Sequence, residues 1–335
     1  MHMANELLSV PVAISTLGIA GGAMAMICRA AKKYITSEKV PLMGILGAFI
    51  FAAQMVNFQL PLMPGTSGHL IGSVLLAIVL GPHLGAIVIS SVVILQCLIF
   101  QDGGILAIGC NIINMGLVPC YIGYGVYKVV RGASEKTWRV YCASIVACVI
   151  GLEAGAMLVP FEAGASGVLS VPLRTFLFTM AGVHVLVGLV EGVVTAAVLG
   201  YLQKVRPDII ENMLPGKTRW SRKTVLATFV IATIIIGAGL SLLASKSPDG
   251  LEWAYRQRPD QPDFKPTVHN ESPVIAAAGA AQTKYTPLPE YSVRGKSVSK
   301  GWTSFAAVTG SGLVMAMVYL TATLLRRNKL MADRL

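Results

Sequence analysis

Long apolar runs recur along this chain, and they leave it very few folds. In hydrocarbon every backbone N–H and C=O needs a partner within the protein, and a helix supplies these within one segment. The runs fall near residues 7–28, 42–60, 69–81, 83–100, 105–127, 138–160, 172–203, 224–244 and 302–325. A hydrocarbon core about 30 Å thick asks for roughly 20 residues per helix. The third run is too short to cross unaided, and Gly81-Pro82 breaks it from the fourth. It reads as a tilted span or as a half-helix buried among its neighbours. The fold class expected is an all-α integral membrane protein with about nine transmembrane helices, seven in one unit and two in another.

Composition excludes the soluble alternative. Only 13% of the 335 residues are charged and 54% are hydrophobic, where a soluble domain carries about 25% charged residues. The net charge of +11 could suggest nucleic acid, but the basic residues sit in short clusters between spans, as membrane proteins place them. Cys28, Cys97, Cys110, Cys120, Cys142 and Cys148 lie in or beside spans with no CxxC. They read as packing residues, without disulfides or a thiolate metal site. No basic stretch precedes the first run, so Met1–Glu6 does not read as a cleavable signal.

Lysine and arginine set the orientation. With the N-terminus outside, the inner segments 29–41, 128–139, 204–223 and 326–335 carry eighteen of these residues. The short outer segments 1–6, 61–68, 101–104 and 161–171 carry none. Segment 245–301 carries eight, but long translocated segments escape the rule. The expectation is N-terminus out and C-terminus in. The basic stretch 204–223 separates a seven-span unit, 1–212, from a two-span unit, 213–335. Segment 245–301 is rich in proline and polar residues, and it reads as a loosely ordered extracytoplasmic loop without a core of its own.

The chain shows no energy source. Gly216-Lys217-Thr218 looks like the end of a phosphate-binding loop, but Glu211 stands where that motif needs its first glycine. No nucleotide site is expected, and neither HExxH nor GxSxG occurs.

The first two residues carry the sharpest chemistry. A free amine on Met1, the Met1–His2 amide nitrogen and the His2 imidazole can close two adjacent chelate rings once the amide proton is displaced. Three nitrogens in a plane plus a fourth make a square, which suits Ni(II) or Cu(II) over tetrahedral Zn(II) and oxygen-seeking Mg(II) or Ca(II). A Met-His start alone is a weak signal, since most termini are frayed. Two features strengthen it. Initiator methionine is kept before a residue as bulky as histidine, and the orientation puts this end outside. His69, in Gly65-Thr66-Ser67-Gly68-His69, also lies at an outer turn and can supply the fourth nitrogen.

These residues, with Gly65 to Gly72, Gly81-Pro82, Gln101-Asp102-Gly103-Gly104-Ile105 leading to Asn111 and Asn114, and Gly182-Val183-His184 through Glu191-Gly192, resemble the M-type substrate-binding component of nickel/cobalt energy-coupling factor transporters. Pro248-Asp249-Gly250-Leu251-Glu252 resembles the accessory N component, so the chain looks like an M–N fusion. The resemblance implies a non-enzymatic component of a bacterial or archaeal cell membrane that takes Ni(II), or Co(II), from outside. Its partners would be a membrane coupling subunit and cytoplasmic ATPases. The ligands would be Met1, His2 and His69.

Other polar residues have two readings each. Asn111 and Asn114 support the chelating loop from one helix face, or hold helices together. Asp102 holds His69 or a loop glycine, or caps the next helix. His184 and Glu191 contact the coupling subunit, line a proton path, or form a packed pair hydrogen-bonded with neighbouring helices; the proton path would fit a proton- or sodium-coupled secondary transporter. A non-transporting scaffold or sensor is the third possibility. His83 is expected at the inner turn, away from the site. Gly18, Gly21 and Gly22 read as close-packing positions.

Overall fold

The computed structural model describes all residues except 215, 257, 259–262, 297–298 and 333–335. Residues 1–8, ahead of the first helix, are folded inward: Met3, Leu7 and Leu8 are fully buried and Met1 is 3% exposed. Asn5–Leu7 forms a single 3-10 turn.

The helices follow the apolar runs, with instructive departures. Helix α1 spans Val10–Ala31 and α2 spans Lys39–Gln54. Residues after α2 leave the helix and form a two-residue hairpin, β1 (Phe58–Gln59) against β2 (Ser67–Gly68). Helix α3 is only Ser73–Leu80 and is wholly buried. This is the half-helix alternative for the third run. Gly81 ends it at φ +89°, and Pro82 starts α4 (Pro82–Leu95), where a missing N–H does no harm. A π-helical turn, Gln96–Phe100, completes α4.

The fifth run is an irregular rod. It begins as α5 (Ile108–Asn111), passes through π-helical stretches at Ile112–Leu117 and Pro119–Gly123, and ends as α6 (Tyr124–Arg131). Pro119 cannot donate to the helical ladder, which is one cause of the wide turns. Helices α7 (Thr137–Ala165) and α8 (Leu173–Val205) pack along their lengths. The remainder is α9 (Arg222–Ala238), α10 (Gly250–Tyr255), α11 (Pro273–Tyr285) and α12 (Lys300–Ala332).

Among the described residues, six helices are long and apolar enough to cross a membrane: Val10–Ala31, Pro82–Phe100, Thr137–Ala165, Leu173–Val205, Arg222–Leu243 and Lys300–Met331. Helix α2, at 16 residues, is shorter, and α9 and α12 flank it, so the second unit shields the first. Polar chain segments gather at two opposite ends. Lys39–Glu211, Arg206–Asp208 and Arg222–Asp208 ion pairs lie at one end. Residues 1–8, the hairpin, residues 96–107 and much of 245–293 meet at the other, through bonds such as Ser67 N to Pro248 O (2.9 Å) and Leu288 N to Ile99 O (3.0 Å).

Two expectations are corrected here. A Cβ on Gly18, Gly21 or Gly22 would meet nothing within 4 Å, so these glycines are not packing points within this chain. The close approach to α1 is made by Gly109, whose added Cβ would strike the backbone of Leu17. Segment 245–301 is also not loose, for it forms α10 and α11 and docks on the first unit. Leu251, Ala254, Tyr255 and Ile275 are buried, and α11 lies against the turn at Asn5–Leu7.

Candidate metal centre

Three backbone devices hold Met1 and His2 in place. Asn111 Oδ1 accepts from Met3 N (2.7 Å), and its Nδ2 donates to Met3 O (3.2 Å). Gly104 N also donates to Met3 O (2.8 Å). Asn5 Oδ1 accepts from Leu106 N (2.9 Å), and Asn5 Nδ2 donates to Gln282 Oε1 (3.1 Å), which ties α11 to the same loop. Gly103 sits at φ +92°, and a Cβ there would stand 2.7 Å from Asn111 Nδ2 and 3.4 Å from His2 Cβ. Gly103→Ala is therefore expected to destabilise the fold by about 1–3 kcal/mol and to push Asn111 off Met3. A thermal-unfolding midpoint equal to wild type would contradict this.

The Met1 amino nitrogen lies 3.1 Å from His69 Nε2 and 2.9 Å from Asp249 Oδ2. His69 Nδ1 donates to Leu70 O (3.0 Å), which leaves the lone pair on Nε2, facing the amine. The His2 and His69 rings stack with centroids 5.4 Å apart and planes at 20°. His2 Nδ1 is 3.1 Å from Asp102 Oδ1, and its Nε2 is 3.1 Å from Gln96 Oε1. Asp102 also accepts a short hydrogen bond from Tyr291. Asp102 thus holds His2, not His69.

Burial lowers the pKa of both imidazoles. For His69 the Met1 ammonium and His2 add to burial, and the value falls to about 3. For His2 burial outweighs the opposing pull of Asp102. Both rings are therefore neutral at neutral pH. Burial raises the Asp249 carboxyl, but the Met1 ammonium, His69 and the Glu252 N–H outweigh it and hold the group below the usual carboxylate range.

The sequence reading missed several participants. Asp249 comes from the second unit, where its other oxygen caps α10 by accepting from Glu252 N (2.7 Å). Gln96 Nε2 donates to Gln54 Oε1 (2.7 Å), and Gln54 Nε2 donates to Ile71 O (2.7 Å), which links His2 to the His69 loop. Two adjacent-span glutamines are a visible signal; Asp249 stands out only as part of Pro248–Glu252, and nothing there points to Met1, 248 residues away.

The remaining candidates are placed as follows. Asn114 donates to Glu162 Oε2 (2.7 Å) and faces Met3 Sδ at 3.6 Å. His184 Nδ1 donates to Met180 O (2.9 Å), and Glu191 accepts from Ile71 N (2.6 Å) and Gly72 N (3.0 Å). The two are thus not paired with each other. His83 is at the basic end, 2.6 Å from Tyr121 OH. His269 lies 3.0 Å from Glu271. Among the described residues, no three His, Cys, Asp or Glu side chains are arranged to hold a metal.

A cavity of about 540 Å³ opens beside this cluster, with His69, Asp102, Asp249 and Tyr291 in its wall. Membrane-length helices around a buried, nitrogen-rich chain end define a multi-spanning membrane protein with an enclosed polar site. Residues 2–209 match the family described as the cobalt uptake substrate-specific transmembrane region (CbiM), and residues 223–327 match the PDGLE domain. The chain therefore belongs to the CbiM family and is an M–N fusion, as its sequence resemblance implied.

The comparisons with individual proteins agree. An Archaeoglobus fulgidus protein named "Putative fused nickel transport protein NikMN" is 34% identical over 82% of this chain and 83% of its own. The fused nickel transport protein NikMN of Rhodobacter capsulatus is 27% identical over 87% of this chain and 88% of its own. A crystal structure of a truncated transition metal transporter superposes with a TM-score of 0.54 at 28% identity, over 61% of this chain and 99% of that one.

Proposed function

We propose that the chain is the ion-capturing membrane component of a nickel- or cobalt-type importer, with nickel ahead of cobalt. In this reading the chelate is built on the amine of Met1, and the cluster faces outside. The observation that carries this is the meeting of three nitrogen donors: the Met1 amine, the His2 ring and His69 Nε2. In a square plane built by the Met1 amine, the His2 amide, His2 Nδ1 and His69 Nε2, the last has the amine and the His2 ring as neighbours. Those are its neighbours here. On capture, His2 Nδ1 exchanges Asp102 for the ion, and the neutral ring then carries its one N–H on Nε2, facing Gln96 Oε1.

Asn111 and Asn114 support the chelating loop from one helix. The second unit, 213–335, supplies Asp249 to the amine and encloses the site from outside. No nucleotide is bound by this chain. A membrane coupling subunit and cytoplasmic ATPases drive release inward.

The test is metal analysis of protein purified with an untagged N-terminus. Wild type is expected to retain Ni(II). His69→Ala, with one of four ligands lost, is expected to bind it about a hundredfold more weakly. Equal affinity in the two proteins removes His69 from the site.

A further inference from the structure

Glu191 is 1% exposed and lies midway along α8, within a span. An acidic side chain there is costly unless it is used. Here it is used entirely on backbone. Its two oxygens accept from Ile71 N (2.6 Å) and Gly72 N (3.0 Å), just ahead of α3, where an anion also suits the helix N-terminus. The first of these bonds has a consequence for His69. The N–H of Ile71 and the C=O of Leu70 belong to one peptide group, and that C=O accepts from His69 Nδ1 at 3.0 Å. Two hydrogen bonds therefore run in series, from the imidazole through a single rigid peptide plane to the carboxylate.

We infer that Glu191 is a positioning residue for His69: through the Leu70–Ile71 peptide it fixes the ring's orientation and keeps its Nε2 lone pair aimed at the ion. The arrangement does for His69 what a carboxylate bonded directly to a metal-binding histidine does, with a peptide group between them. The loop needs such a restraint. Residues 69–72 form no helix or ladder of their own beyond β2, and Gly72 turns at φ +80°. Gln54 holds the C=O of Ile71, so the peptide planes on both sides of that residue are pinned from two helices. A glutamine at 191 has one acceptor oxygen and an NH2 that opposes the second N–H. An aspartate is one methylene too short to reach both.

This inference rests on the proposed chelate, and its test separates the two. Cu(II) bound to the untagged protein reports its nitrogen count through the splitting in its electron paramagnetic resonance spectrum. Wild type is expected to show four nitrogens. Glu191→Gln is expected to show three, because Met1 and His2 still chelate while His69 drops out, and to bind Ni(II) about 10- to 100-fold more weakly. The spectrum reads only metal-loaded, folded molecules, so a fall in yield alone does not imitate this result. Glu191→Asp, which keeps the charge, serves if the glutamine variant does not accumulate, and is expected to show the same loss of one nitrogen. Glu153→Gln on α7 removes another carboxylate within a span and is expected to match wild type. Four nitrogens and wild-type affinity in either Glu191 variant overturn the inference alone. Fewer than four in wild type overturn the chelate itself.

Discussion

Ni(II) capture is expected to fall by more than about a thousandfold when a four-residue extension such as Gly-Ser-Gly-Ser precedes Met1. Metal bound by four protein ligands is worth on the order of 10–16 kcal/mol, so two ligands account for roughly 5–8 kcal/mol. The extension removes two: the amine becomes an amide, and the small chelate rings through the His2 nitrogen lose their anchor. There is also no space for it. Met1 is 3% exposed, and the gap among Met1, His69, His184 and Asp249 is about 10 Å³, room for one water. A single added residue is the wrong probe. It would place His2 third in the chain, where an amine, two amides and an imidazole make a new four-nitrogen chelate independent of His69. The control is a cleavable extension: a protease that cuts just ahead of Met1 should restore binding in the same folded molecule. Binding that survives the extension at wild-type strength would exclude the terminal chelate.

Hydropathy and charge made the fold legible at the level of spans. Long helices appear where the apolar runs lie, and Gly81-Pro82 marks the break between α3 and α4. The finer features depend on partners that a single sequence does not name. Gly18, Gly21 and Gly22 look like a packing face because small residues permit close approach, but permission is not contact, and Gly109 makes the contact instead. Segment 245–301 looks unstructured because its prolines and polar residues are conspicuous. Its apolar Leu251, Ala254 and Tyr255 are spaced too closely to suggest a core, and they find one on the first unit. That Met1, His2 and His69 lie together was legible because coordination chemistry restricts which atoms can act together. Asp249 and Glu191 were not, because each acts through a bond whose partner lies more than a hundred residues away.

Capture is also expected to weaken about a hundredfold for each unit of acidification across about pH 7.5 to 6.5, because each ion displaces two protons. The amine is an ammonium in its ion pair with Asp249, and the His2 amide carries its own proton. Both must leave. The imidazoles contribute none, since burial above all holds His2 below its ordinary value and His69 at about 3. Two protons out for one divalent ion in leaves the net charge of the site unchanged. Asp102 and Asp249 therefore face the same net positive charge before and after, and the buried site accepts the ion without gaining an uncompensated charge. Calorimetry in buffers of different ionisation enthalpy counts the protons directly. A count near one means that the amide keeps its proton and the square is incomplete; a count above two means that an imidazole titrates. The window matters for a separate reason of known sign. Below about pH 6.5 an unfolded chain takes up protons on its histidines that the folded imidazoles refuse, so stability of the terminal region falls as pH drops toward their lowered values. Above that value the refusal has no effect, and the slope reports the metal exchange alone.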